Sequence, residues 1–235
     1  MRCLFTFTKS KRMKNILDGI KINISPKIFV KDPETSELGK KIIENSIQLI
    51  DEIGFDNFTF KKLGQQIGSN ESSIYRYFES KHKLLLYLSS WYWGWIEFKL
   101  VLNTNNMANP KDKLIKAIEM VTQEITSDNN HPHINEVMLH KIIICEFSKS
   151  YLTKEVDEEN KEGYFLVYKR VINRIVEMVT AVNPAYPYAK SLISTVVEGA
   201  LHQHFLKDHF TSITDCSKKS SPSEFFKTLV LKQIS

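Results

Sequence analysis

Four side chains suited to capping helices, Ser36, Thr59, Asn70 and Ser80, follow one another closely around Gly68. They divide this part of the chain into helices, two of them too short to be stable alone, so each must lean on its neighbours. The spacing predicts a first helix from Thr35 or Ser36, with Glu37 in its first turn, and Gly54 placed to end it. Leu38, Ile42, Ile43, Leu49, Ile50 and Ile53 fall on one face of it at helical period, and Phe55 and Phe58 cover the next turn. Thr59 caps a second helix running to about Gln66, Gly68 supplies a tight corner, and Asn70 caps a third helix from Glu71 to about Tyr77. Ser80 caps a fourth that continues past Trp95 towards Leu102.

Two short helices joined at a glycine corner fit a helix-turn-helix, whose second helix enters the major groove of DNA. On a wheel of about 100° per residue, Ile74 and Phe78 share the inward side of the third helix, while Ser72 and Arg76 lie opposite. Ser73 and Tyr75 flank that outer face. Arg76 is suited to a bidentate contact with guanine O6 and N7, and Ser72 is small enough to approach a base edge. Ser73 and Tyr75 suit phosphates, which fix register rather than sequence. Free N–H groups at the starts of the second and fourth helices, near Thr59 and Lys81, offer phosphate seats. Lys61 can add a base or phosphate contact.

The stretch from Thr59 to Lys81 resembles the signature of the TetR/AcrR family of transcriptional regulators. The resemblance is carried by Thr59 at the second helix, Gly68 at the turn, Ile74-Tyr75-Arg76-Tyr77-Phe78, Ser80-Lys81, and Leu84-Leu85 after them. It covers Lys41 to Tyr87. It implies phosphate contacts at Thr59, Ser73, Tyr75, Tyr77 and Lys81, and base contacts at Lys61, Ser72 and Arg76. Gly64 stands where the family usually has Ala, and Ser69 where it usually has Val; a glycine inside so short a helix costs up to about 1 kcal/mol.

Charge supports a polyanionic partner. Residues 1–103 hold 16 Lys+Arg against 11 Asp+Glu, an excess of five; residues 104–235 hold 16 of each. The whole net charge therefore sits in the N-terminal part. Residues 1–34 read as an irregular arm, basic at Lys9, Lys11, Arg12 and Lys14, with Ile20 to Ile24 alternating like a strand until Pro26 and Pro33 interrupt; Met13 offers an alternative start. Cys3, Cys145 and Cys216 form no disulfide framework, no apolar run approaches the roughly 20 residues needed to cross a membrane, and a cytoplasmic protein is expected.

The expected class is all-α, a three-helix helix-turn-helix head over 35–82 followed by a larger helical bundle over 83–235. Helical patterns recur near 111–126, 134–151, 160–182, 188–208 and 222–234. The resemblance implies that this bundle senses a ligand and forms the dimer. Val179, Val196, Gly199 and Ala200 lie on stripes that can form a two-fold interface, and the same stripes equally suit the protomer's own core. Trp91 and Trp95, on the fourth helix, with His140, Tyr164 and Tyr168, are candidate lining for an effector pocket, though such aromatics more commonly pack a core. His202, His204 and His209 do not share one face, so no metal is expected, and no cofactor. No catalytic motif is present and no enzyme is expected. The expected partners are double-stranded operator DNA, a second copy of the chain and a small apolar effector. The alternative is a DNA-binding dimer that answers to a protein partner or has no effector.

Overall fold

The computed structural model describes residues 22–126, 131–217 and 219–235, and the basic run Lys9–Lys14 lies outside them. Residues 22–25 form no strand, and a short 3-10 turn follows at Pro33–Thr35. The described residues are otherwise helical and contain no strand, so the fold is all-α. The head is α1 (Glu37–Asn57), α2 (Phe60–Ile67) and α3 (Glu71–Tyr75). α4 (Lys81–Thr104) joins it to a body of α5 (Pro110–Thr122), α6 (Glu136–Glu146), α7 (Ser148–Tyr151), α8 (Val156–Lys161), α9 (Leu166–Val182), α10 (Ala189–His209) and α11 (Pro222–Gln233).

All four foreseen caps form. Ser36 accepts from Gly39 N, Thr59 from Lys62 N, Asn70 from Ser73 N and Ser80 from Lys83 N. Each satisfies a backbone donor that the first helical turn leaves without an intrahelical partner. Gly54 breaks the regular spiral of α1 at φ 75°, but one further turn follows it to Asn57, which carries Phe55 and Phe58 into the core. The long pattern at 134–151 divides at Phe147, and the pattern expected from residue 160 resolves into α8, Gly163 at φ 84° and α9.

α4 is the spine. At about 1.5 Å per residue its 24 residues span about 36 Å. Trp91, Tyr92, Trp93 and Trp95 point to different sides of it, and all are at most 3% exposed. A helix that is apolar all round is one enclosed by others; α5, α6, α7 and α9 all pack on it. Glu97, near its far end, accepts from Arg170 Nε and Nη2 and from Arg174 Nε at 2.8–3.1 Å, tying α4 to α9. Burial would raise the Glu97 carboxyl, but the two guanidiniums outweigh it and hold it below the ordinary range. No helix among the described residues is long and apolar enough to cross a membrane.

The corner between α2 and α3 explains the glycine that departs from the TetR/AcrR pattern. Gly68 closes α2 in the left-handed region at φ 66°, and Ser69 N donates back to Gly64 O at 2.9 Å. This return brings the backbone so close that a Cβ on Gly64 would lie 2.8 Å from Ser69 O. Helix propensity alone favours alanine by about 1 kcal/mol. The contact is with backbone, which has little room to move, so Gly64→Ala is expected to destabilise the head by about 1–3 kcal/mol. A thermal melt reads the sign directly; a raised midpoint would show that the corner yields.

Candidate nucleic-acid interface

α3 is five residues long, shorter than expected, because the chain tightens after it: Tyr77 N and Phe78 N both donate to Ile74 O, at 2.8 and 3.1 Å. Ile74 and Phe78 are fully buried and Tyr77 is 4% exposed, so three side chains anchor this short segment. Arg76 keeps helical dihedrals as the C-cap, which preserves the geometry of the wheel. Ser72 and Arg76 are exposed opposite the anchors, and Lys61 and Thr59 are exposed on α2 beside them. No described residue pairs with the Arg76 guanidinium or the Lys61 ammonium.

Asn70 organises the leading edge. Its Oδ1 accepts from Ser73 N, Ser73 Oγ and Ser72 Oγ, which holds both hydroxyls at the start of α3. Tyr75 is half exposed, and its ring meets Phe60 edge-on at 5.0 Å between centroids. That contact fixes the ring while leaving the phenol at the surface. Thr59, Lys61, Ser72, Tyr75 and Arg76 are thus exposed on α2, α3 and their caps, and Ser73 is half-buried beside them.

Two residues of the expected set have other occupations. Tyr77 is buried, with its hydroxyl 2.8 Å from Ser36 Oγ and 3.5 Å from Lys31 Nζ. Lys81 turns back into the head, where its ammonium donates to the carbonyls of Phe55, Asp56 and Phe58 at 3.1–3.3 Å. Three N–H groups meet three carbonyls at the end of α1, leaving no side-chain donor for a phosphate. The pattern Ser-Lys before a helix marks this residue in the sequence, but only the fold shows which acceptors reach it.

The stripes considered for a dimer interface are also spoken for. Val179, Val196 and Ala200 are at most 1% exposed within the protomer, and a Cβ on Gly199 would meet Phe226 of α11 at 3.0 Å. Periodicity identified buried faces correctly, but these faces are buried against the chain's own helices.

The candidate pocket residues each have neighbours of their own within the protomer. Trp91 and Trp95 stack on each other at 6.3 Å. Tyr164 donates to Lys27 O and accepts from the Lys83 ammonium, and Tyr168 donates to Glu198 Oε1 at 2.9 Å. His140 differs. Its Nδ1 meets the Tyr92 hydroxyl at 2.9 Å, while its Nε2 is buried with no partner among the described residues. Burial and the neighbouring His204 lower its pKa to about 3, so the ring is neutral. His204 is spent on Thr122 O at 2.9 Å, and His202 is exposed. No group of three or more potential metal ligands gathers among the described residues.

The Lys81 geometry has a measurable consequence. Lys81→Met is expected to lower stability by about 1–2 kcal/mol, through the carbonyls it strands. The dependence of duplex binding on salt should keep its slope. A slope reduced by about one unit at unchanged stability would return Lys81 to the phosphates.

Residues 42–88 match the family model for bacterial regulatory proteins of the tetR family. Comparison with curated proteins gives no match. Among solved structures, the chain resembles the fatty acid degradation regulator FadR from Bacillus halodurans (TM-score 0.57, 15% identity, covering 83% of this chain and 93% of that one). A putative transcriptional regulator from Saccharomonospora viridis, in complex with choline, gives a TM-score of 0.56 at 15% identity, over 85% and 96% of the two chains. AibR, in complex with isovaleryl coenzyme A and operator DNA, gives 0.55 at 13% identity, over 81% and 96%. Identities this low establish a shared fold, while the motif match falls on the segment that presents Arg76 and Ser72. The head thus carries the DNA-binding helix-turn-helix of the tetR family at residues 42–88, and the chain as a whole shares the fold of these solved regulators.

Proposed function

We propose that the chain is a homodimeric, cytoplasmic repressor without catalytic activity that reads one operator through two copies of its head. Arg76, Ser72 and Lys61 take base edges, and Thr59, Ser73 and Tyr75 take phosphates. The observation that carries this reading is the division of the α3 segment: Ile74 and Phe78 are fully buried, while Ser72 and Arg76 stand exposed on the opposite side. A helix held so firmly by one face, with small and basic groups on the other, is built to lie in a groove.

The dimer in this reading uses the outward sides of α9 and α10, since their inward stripes are occupied. Leu166 is exposed on α9, with Ile172 and Val176 half buried; Ser191 and Thr195 are exposed on α10. Apolar residues beside small hydroxyls allow four helices to approach closely around a two-fold axis. Two heads about 34–36 Å apart would then meet successive turns of one duplex face.

A small, largely apolar effector bound in the body would release the operator. The support is the unpartnered His140 Nε2 inside an apolar body, and the fold shared with AibR, which was seen with both isovaleryl coenzyme A and operator DNA. Such a ligand acts only if it favours a head-to-head spacing that does not fit DNA.

Selection of bound fragments from the source genome tests the reading. A shared, two-fold related sequence is expected among them. On the selected operator, Arg76→Ala is expected to lose about 1–3 kcal/mol of discrimination at one base position in each half-site. Wild-type affinity and wild-type base preference in that variant would remove Arg76 from the groove.

A further inference from the structure

Residues 22–36, which the helix-turn-helix motif does not include, touch both parts of the molecule. At the body, the Lys27 carbonyl accepts from the Tyr164 hydroxyl at 3.2 Å, and the Lys27 ammonium pairs with Glu162 at 2.6 Å. Glu162 and Tyr164 flank Gly163, the left-handed glycine at the junction of α8 and α9. A second attachment lies further along: Glu34 accepts from His133 Nε2 at 2.9 Å and from the Tyr87 hydroxyl at 3.3 Å. Burial would raise the Glu34 carboxyl, but these two donors outweigh it and hold it below its ordinary range.

At the head, the same segment grips one residue. Val30 N donates to the Tyr77 carbonyl at 2.8 Å, Ser36 Oγ meets the Tyr77 hydroxyl at 2.8 Å, and the Lys31 ammonium lies 5.2 Å from the centre of the Tyr77 ring. Tyr77 is therefore held by its backbone, its hydroxyl and its ring face. It directly follows Arg76 and closes the turn that ends α3.

We propose that residues 27–36 form a strap through which the body sets the orientation of the DNA-reading segment, with Tyr77 as its point of grip. The strap has little slack. Lys27 and Val30 are three residues apart, a span of at most about 10 Å even when extended, and Ile28 between them is 1% exposed. A shift at the Gly163 junction therefore reaches the Tyr77 carbonyl without passing along α4. Lys27, Val30, Glu34 and Ser36 are positioning residues that touch no base. This inference extends the proposed release mechanism, but its physical content, a tether between Tyr164 and Tyr77, stands apart from DNA.

Hydrogen exchange tests it on the full chain. The double variant Lys27→Met, Tyr164→Phe cuts the attachment at Lys27 while keeping both side chains' apolar bulk, and leaves the Glu34 attachment in place. Amide exchange at Tyr77 and Phe78 is expected to quicken by about threefold or more, with the amides of α1 and of mid-α4 unchanged. Tyr77→Phe, which loses only the hydroxyl contacts, should quicken the same two amides. Lys83→Met removes the other partner of the Tyr164 hydroxyl and should leave them alone.

Unchanged exchange at Tyr77 and Phe78 in both strap variants overturns the proposal. So does a rise shared equally by α1, which would mean ordinary loss of stability. On the selected operator, the double variant should lower the ratio of operator to random-duplex affinity several-fold with an unaltered salt slope, because the phosphate contacts persist. A wild-type ratio would leave the strap without influence on reading and overturn the proposal. If the wild-type protein bound no duplex, the DNA reading would fail, and exchange would still judge the strap.

Discussion

The structure depends on the anchoring of Ile74, Tyr77 and Phe78 in the core between the head and α4. A helix of five residues is far below the length at which hydrogen bonding offsets the cost of nucleation. α3 therefore has no shape of its own; its shape is imposed by the cavity its inward side chains fill. Phe78 and Tyr87 meet edge-on at 5.4 Å, which joins the end of the reading segment to the spine. The same contacts that make α3 a helix also decide which of its side chains face water, so stability and the presentation of Arg76 have one source.

Much of this was legible from side-chain chemistry acting over three or four residues. Ser36, Thr59, Asn70 and Ser80 cap their helices because a short hydroxyl or amide can reach the backbone donors of the next turn. Gly68 turns the corner because a left-handed residue costs least there without a Cβ. Trp91 and Trp95 were legible as aromatics that line a pocket or pack a core, and they lie buried on the enclosed spine. Each of these inferences needs only neighbours along the chain.

What escaped the sequence depends on partners distant along it. Lys81 finds its acceptors at Phe55, Asp56 and Phe58, brought to it by the break at Gly54. Gly64 looked like a weakness by propensity and is a close approach to Ser69. Val179, Val196 and Ala200 were correctly legible as buried, but a stripe does not say what buries it. In this chain Phe226, Val171 and Ile175 are part of the same core, which moves any dimer contact to the outward faces.

The joint between head and body follows from how polar groups were placed in it. An apolar joint could slide, because burial is non-directional. Here the contacts are directional. Phe55 N donates to Glu146, Lys149 bridges Glu146 and Asp56 at 2.8 Å each, and His82 meets Glu159 at 2.8 Å. Hydrogen bonds of this kind weaken steeply with misalignment, so a small rotation of the head would break several together. That favours a few discrete head positions over a continuum, which is the condition under which a modest ligand preference can shift a population. On the proposed dimeric reading, a regulator that must either fit two turns of duplex or not fit them gains from such a joint, since intermediate spacings would blur both states.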